Sequence, residues 1–143
     1  MEVAELRQQI LREIERAHTK AADQRQSTQA AHTAYAKFIV EIAGPLVKQA
    51  VQILRAERLP LQAQTPAGSV RIASEASPED FIEFVLDTTV RPPRVLGRSS
   101  VTAGRHNVVV EEVPIAPGTP ISSITEADLL AFLVPAIGRL AAK

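Results

Sequence analysis

The chain of 143 residues contains no cysteine and no tryptophan, and its aromatic side chains are four phenylalanines and one tyrosine. The absence of cysteine excludes disulfide bonds, thiol catalysis, iron–sulfur clusters and cysteine-based zinc sites. Proteins that bind single-stranded nucleic acid stack its bases on aromatic side chains. The small number of aromatic residues therefore argues against that function.

Charge of neither sign predominates, because 16 Lys and Arg residues balance 16 Asp and Glu residues. A domain dedicated to nucleic acid usually carries a basic excess, so here only a local basic patch would serve. The longest nearly apolar run, 129–138, is far shorter than the roughly 20 residues of a membrane-spanning helix. The first residues lack the basic and apolar segments of a signal peptide. We therefore expect a cytoplasmic protein that does not contact membranes.

Recognisable motifs for catalysis and cofactor binding are absent from the sequence. The six glycines are too widely spaced for a phosphate-binding loop, and no Gly-x-Ser-x-Gly motif of nucleophilic catalysis occurs. Glu15 and His18 have the Glu-x-x-His spacing of di-iron helical bundles, but helical geometry directs both mostly to solvent. We expect no metal and no cofactor, and a non-enzymatic role is favoured over an enzyme.

The pattern of apolar residues predicts a single domain, 1–143, of the α+β class, with a helical hairpin over 1–58. Apolar residues at spacings of three and four predict its first helix over 3–22. They are Val3, Leu6, Ile10, Ile14, Ala17 and Ala21. The second helix is predicted over 29–58, with a kink at Gly44-Pro45, since proline removes a backbone donor. The polar stretch 23–29 between them is either a turn or a solvated continuation of the first helix.

After a proline-containing connector over 59–68, the pattern changes to short strands. Segments 69–74, 95–102 and 108–115 alternate or are rich in β-branched residues. The segment 79–90 begins like a helix but continues with a row of alternating apolar residues, and we favour a strand. The strand-rich region 69–115 is therefore predicted to form an antiparallel meander of three to four strands. A C-terminal helix follows within 124–142, at about 126–141.

The second helix carries more apolar surface than one neighbour covers, because apolar residues occupy most of its circumference. We expect its second apolar row to mediate self-association, and a homodimer is the favoured assembly. This row consists of Val40, Val47, Val51 and Leu54. Another protein partner is an alternative occupant of the same row, and the third alternative is that the sheet of the same chain covers it, which would weaken the prediction of self-association.

A cluster of basic residues provides the alternative function, a binding module for an anionic ligand or nucleic acid. It comprises Arg91, Arg94, Arg98, Arg105 and His106, with no acidic residue among them. Nucleic acid is the less favoured partner, given the balanced charge. Internal pairing explains the cluster equally simply, and we favour it. In particular, a tight turn at 91–94 would place Asp87 opposite Arg98 on neighbouring strands.

Overall fold

The computed structural model describes residues 2–105 and 107–142, and it has the predicted α+β architecture. Helix α1 (Val3–Phe38), a π-helical turn (Ile39–Ala43) and helix α2 (Gly44–Ala56) follow one another without interruption. Five strands come next: β1 (Leu61–Gln64), β2 (Arg71–Ser74), β3 (Phe81–Asp87), β4 (Arg94–Ala103) and β5 (Asn107–Pro114). A 3-10 turn (Ile121–Ser123) leads into the last helix, α3 (Glu126–Ala141).

The predicted helical hairpin is wrong, because the segment 23–29 continues the helix and makes no turn. This stretch contains neither glycine nor proline, so nothing in it breaks the ladder of backbone hydrogen bonds. The Thr33 hydroxyl even donates back to the Gln29 carbonyl, 3.2 Å away, as a residue inside a helix does. Residues 3–56 therefore form one rod about 80 Å long.

The predicted irregularity at Gly44-Pro45 takes the form of the π-helical turn directly before it. The Gly44 amide donates to the Ile39 carbonyl, five residues back. A side-chain carbon at Gly44 would lie only 2.7 Å from that carbonyl oxygen. Glycine is thus the residue that lets the backbone approach so closely, and proline follows where the next amide donor is missing.

The π turn changes which side of the rod faces the core. In an uninterrupted α-helix, Val47, Val51 and Leu54 would lie roughly 100–160° around the axis from Tyr35. The extra residue in the π turn rotates all later side chains back around the helix axis by about 100°, the angle that one residue occupies. All three side chains are consequently buried in the same core as Tyr35.

The predicted self-association row is therefore corrected. Val47, Val51 and Leu54 belong to the interior of the chain, and of this row only Val40 is exposed. The error arose because the sequence analysis counted a constant 100° per residue through the π turn.

The sheet is a meander in the order β1-β2-β3-β4-β5, with all neighbours antiparallel. It has five strands, one more than the upper estimate, because part of the predicted connector pairs with β2 as the short edge strand β1. The ambiguous segment 79–90 contains strand β3, as favoured. Its helix-like beginning is instead a turn, in which the Asp80 amide donates to the Ser77 carbonyl.

The core lies between the sheet and the helices that cover one of its faces. Phe84 on β3 is its centre, with the rings of Phe38 and Phe132 5.8–6.1 Å away in edge-on contacts. The Phe132 ring occupies the space above Gly97, where a side-chain carbon would lie 2.6 Å from it. The missing side chain on β4 thus makes room for α3.

Tyr35 joins α1 to the strands through a buried hydroxyl. This hydroxyl lies 3.0 Å from both the Phe84 carbonyl oxygen and the Ser69 hydroxyl. Burial raises the pKa of the Tyr35 phenol above its ordinary value, against a smaller opposite effect of the Ser69 hydrogen bond. The contact therefore requires the neutral phenol.

We expect Gly44→Ala to lower the free energy of unfolding by about 1–3 kcal/mol, because the added methyl group strains the π turn. Gly138→Ala is the matched control. Gly138 also lies in a helix, but no atom outside its own neighbourhood is within 4 Å of the added carbon. There alanine should stabilise by up to about 1 kcal/mol. Urea unfolding measures both, and equal stabilisation by the two substitutions would contradict the role of Gly44.

We expect the single tyrosine of the chain to ionise at higher pH in the folded than in the unfolded protein. The unfolded phenol loses its proton near pH 10, while the folded one retains it. Stability is then unaffected below that pH and falls as the pH rises through it. Ultraviolet absorbance of tyrosinate gives the titration directly, with no second tyrosine or tryptophan to interfere. Titration at the ordinary value in the native protein would contradict the buried contact.

Candidate functional site

The N-terminal part of α1 projects from the folded body. Between residues 3 and 30 every side chain is exposed except those of Ala21, Gln24 and Thr28, which are half-buried. The first buried position along the helix is Ala31. We call residues 3–30 the arm, and its length is about 42 Å.

One face of the arm is apolar along most of its length. Its large side chains remain between 46% and 83% exposed. Because they recur every three or four residues, they form one line of contact along the helix. We call this line the arm stripe: Val3, Leu6, Ile10, Ile14, Ala17 and Ala21. The spacing of these residues correctly predicted one face of a helix, and the structure leaves the large side chains of that face exposed.

Two arginines of the basic cluster, Arg94 and Arg98, are engaged in ion pairs. Arg94 donates to the Asp87 carboxylate, with 3.1 Å between Nε and Oδ2. Arg98 lies between two carboxylates, 3.3 Å from Glu83 and 3.0 Å from Glu112. An anion would have to displace these ion pairs to reach either arginine.

The predicted partner of Arg98 is wrong, although the prediction that it is paired is confirmed. β3 ends at Asp87 and β4 begins at Arg94, so residues 88–93 form a longer connection than the tight turn assumed. The register consequently places Asp87 opposite Arg94, and Glu83 opposite Arg98.

Arg98 belongs to a row of alternating charges that crosses four strands. Arg71, Glu83, Arg98 and Glu112 occupy matching positions on β2, β3, β4 and β5. Glu83 is buried and accepts hydrogen bonds from Arg71 at 2.6 and 3.0 Å and from Arg98 at 3.3 Å. Such a paired buried carboxylate holds the register of the strands. Sequence reasoning missed it, because the pairing depends on residues from separate strands.

The Asp87 carboxylate is fixed mainly by its own turn. The Thr89 hydroxyl and amide both donate to Oδ1, at 2.5 and 3.0 Å. These bonds hold the pKa of Asp87 below its ordinary value, and Arg94 acts in the same direction. The Asp87 carboxylate is thus ionised and hydrogen-bonded, and its negative charge compensates part of the positive charge of the cluster.

The remaining members of the basic cluster do not share one position. Arg91 is exposed, and its guanidinium donates to the Thr88 carbonyl at 2.9 Å. It borders α1, where it lines a depression together with Gln24 and Ser27. Arg105 is exposed in the turn between β4 and β5, and His106 lies outside the described residues. The cluster therefore does not form a single site around one anion.

Glu15 and His18 are both exposed on the arm. Within residues 2–105 and 107–142, no group of three or more His, Asp or Glu side chains is placed to hold a metal ion. None of the helices in the same range has the length and apolar character that a membrane span requires.

Comparisons with protein-family models, with curated proteins and with solved structures found no match for this chain.

We expect Arg98 and Glu83 to show a coupling energy of about 1 kcal/mol in a double-mutant cycle of Arg98→Ala and Glu83→Gln. The same cycle with Asp87→Ala in place of Glu83→Gln should give a coupling near zero. Asp87 lies opposite Arg94, which is four strand positions, or about 13 Å, from Arg98. Thermal unfolding provides all the values. A coupling with Asp87 larger than that with Glu83 would contradict the observed register.

Proposed function

We propose that this protein is a non-enzymatic structural or protein-interaction domain that self-associates through the apolar surface of its N-terminal helix. The observation that supports this most directly is the arm stripe, a line of exposed apolar side chains on a helix that projects beyond the core. The contact surface is thus assigned to the arm, in place of the row of Val40, Val47, Val51 and Leu54.

A solitary helix of this kind gains little stability from its own residues. Helices in proteins are stabilised mainly by packing of their apolar face. In the described chain, the side chains of the arm stripe from Val3 to Ala17 are exposed. Among the described residues, one ion pair supports the arm internally, Glu13 with Arg16, and both side chains are more than 70% exposed. Pairs so exposed contribute well under 1 kcal/mol. A partner helix on the stripe supplies the packing that the single chain lacks.

The total surface area supports the same conclusion. The chain exposes 9337 Å². A compact monomer of 15.5 kDa is expected to expose about 7,200 Å². The excess of about 2,100 Å² is more than twice the roughly 800 Å² that each partner buries in a standard interface. The projecting arm is the feature of the shape that produces such an excess.

A second copy of the chain is the partner that the arm favours by its charge. Residues 3–30 carry five Lys and Arg against four Asp and Glu residues, so two arms do not repel each other as strongly basic or acidic helices would. The alternative function, binding of an anionic ligand, has only Arg91 and Arg105 as arginines of the cluster outside the ion pairs of the described chain, because Arg94, although exposed, is paired with Asp87. Self-association is therefore preferred.

We expect the protein to be a dimer at micromolar concentration in light scattering coupled to size-exclusion chromatography. Ile10→Glu and Ile14→Glu should each raise the dimer Kd by about tenfold or more, because burying either isoleucine is worth about 1.5–3 kcal/mol. Circular dichroism should show the folded body intact in both variants, since neither side chain contributes to the core.

Val40→Glu is the matched control. Val40 is a large apolar residue of the same rod and is 73% exposed, but it lies beyond the arm. Its substitution should leave the dimer unchanged. A monomeric wild-type protein, or dissociation by Val40→Glu but not by Ile10→Glu and Ile14→Glu, would refute the assignment of the surface.

A further inference from the structure

We infer that two copies of the arm pair in antiparallel orientation, with Ile14 of each copy beside Ala17 of the other. This inference rests on the proposed self-association and specifies its geometry. It is carried by the sequence of side chains along the arm stripe, by the charges that flank the stripe, and by the length of the exposed helix.

The sizes of the side chains are complementary in the antiparallel orientation. When Ile14 lies beside Ala17 of the second copy, Ile10 lies beside Ala21 and Val3 beside Thr28, while Leu6 is level with Arg25. At the two levels nearest the centre of the pair a large side chain therefore meets an alanine, which keeps the distance between the helix axes uniform there. In a parallel pair each residue meets its own copy. Two isoleucines would then adjoin at one level and two alanines at the next.

The charges beside the stripe are complementary as well. Glu13 and Lys20 are seven residues, or about two turns, apart and therefore lie on the same flank of the stripe. Equivalent flanks meet in an antiparallel pair, so Glu13 of each copy lies near Lys20 of the other. The twofold symmetry produces this ion pair twice.

A parallel pair would bring like charges together instead. In a parallel coiled coil, a residue on one flank lies near the residue five positions later on the opposite flank of the other helix. Lys20 would therefore approach Arg25 of the second copy. Arg7, which interrupts the stripe, would face its own copy at the centre of the interface. In the antiparallel register Arg7 lies beside the neutral Gln24.

The exposed length of the helix fits this register. The contact of Val3 with Thr28 is the last one, and Ala31 immediately beyond it is the first buried position. The paired region therefore spans the arm and ends at the folded body, where three of the positions that receive the second copy, Ala21, Gln24 and Thr28, are already half-buried. At that end of the pair, Glu2 of the second copy lies at the height of Gln29 along the helix. It lies on the flank that contains Ser27, which Arg91 borders. Their opposite charges give the exposed Arg91 a partner.

Engineered disulfides test the orientation, because the natural chain has no cysteine. We would prepare Ile10→Cys, Ala21→Cys and the variant with both substitutions, and oxidise each one. In the antiparallel pair, residue 10 lies beside residue 21 of the second copy and about 16 Å from its own copy. A disulfide requires α-carbons within about 7 Å. Only the double variant should form a covalent dimer, and neither single variant should.

The outcomes separate this inference from the proposed function. Covalent dimers of both single variants would overturn the antiparallel orientation while supporting contact through the arm stripe. A dimer in light scattering with no cross-link in any variant would also overturn the inferred register. A monomeric wild-type protein without cross-links would overturn the proposed function itself. Circular dichroism of each reduced variant confirms that it is folded.

Charge reversal provides an independent measurement. Lys20→Glu should raise the dimer Kd by about threefold to tenfold, because it turns two attractive contacts with Glu13 into repulsive ones. Combining it with Glu13→Lys should restore the natural value. In a parallel pair Lys20→Glu would instead tighten the dimer by removing the repulsion from Arg25, so that a lower Kd would overturn the inference.

Discussion

The hydrogen bond from the Gly44 amide to the Ile39 carbonyl determines how the long helix is used. It closes the π turn, and the extra residue in that turn rotates α2 so that Val47 and Leu54 join the core. A regular α-helix of the same sequence would present two apolar faces, and the sheet covers only one. The turn thus allows a single rod to bury one face of its C-terminal half against one sheet, while residues 3–20 of the rod remain exposed.

A second constraint fixes the other side of the core. Gly97 leaves a space on β4 that the Phe132 ring fills, and this contact sets how closely α3 approaches the sheet. Phe84 then touches both Phe132 and Phe38, so one aromatic side chain connects α3 with α1. With few aromatic residues in the chain, most of them are used at this junction. The remaining phenylalanine, Phe81, is half-buried, and the Arg71 guanidinium lies over its ring at 4.4 Å from the centroid.

Local patterns in the sequence were sufficient for much of the fold. Alternation predicted β3, and the apolar pattern predicted the last helix at about 126–141, where α3 begins after a reciprocal capping box between Thr125 and Asp128. The hairpin failed because polarity over 23–29 was weighed as a possible turn, although this stretch contains neither the glycine nor the proline that commonly ends a helix. The buried carboxylate Glu83 was not predictable, because its partners Arg71 and Arg98 become neighbours only once the strand register is known.

The same reasoning explains why the candidate site was identified in part. A stripe such as Val3, Leu6 and Ile10 has the same appearance in a sequence whether it packs inside the chain or lies on its surface. The distinction depends on how far the folded body extends along the helix, and that limit is set by the sheet through Ala31 and Tyr35. Once the end of the folded body along the helix is known, the apolar side chains beyond it are seen to lie outside the core. The nearly balanced charges that flank the stripe then restrict the partner to one of similar character, a condition that a second copy of the arm meets.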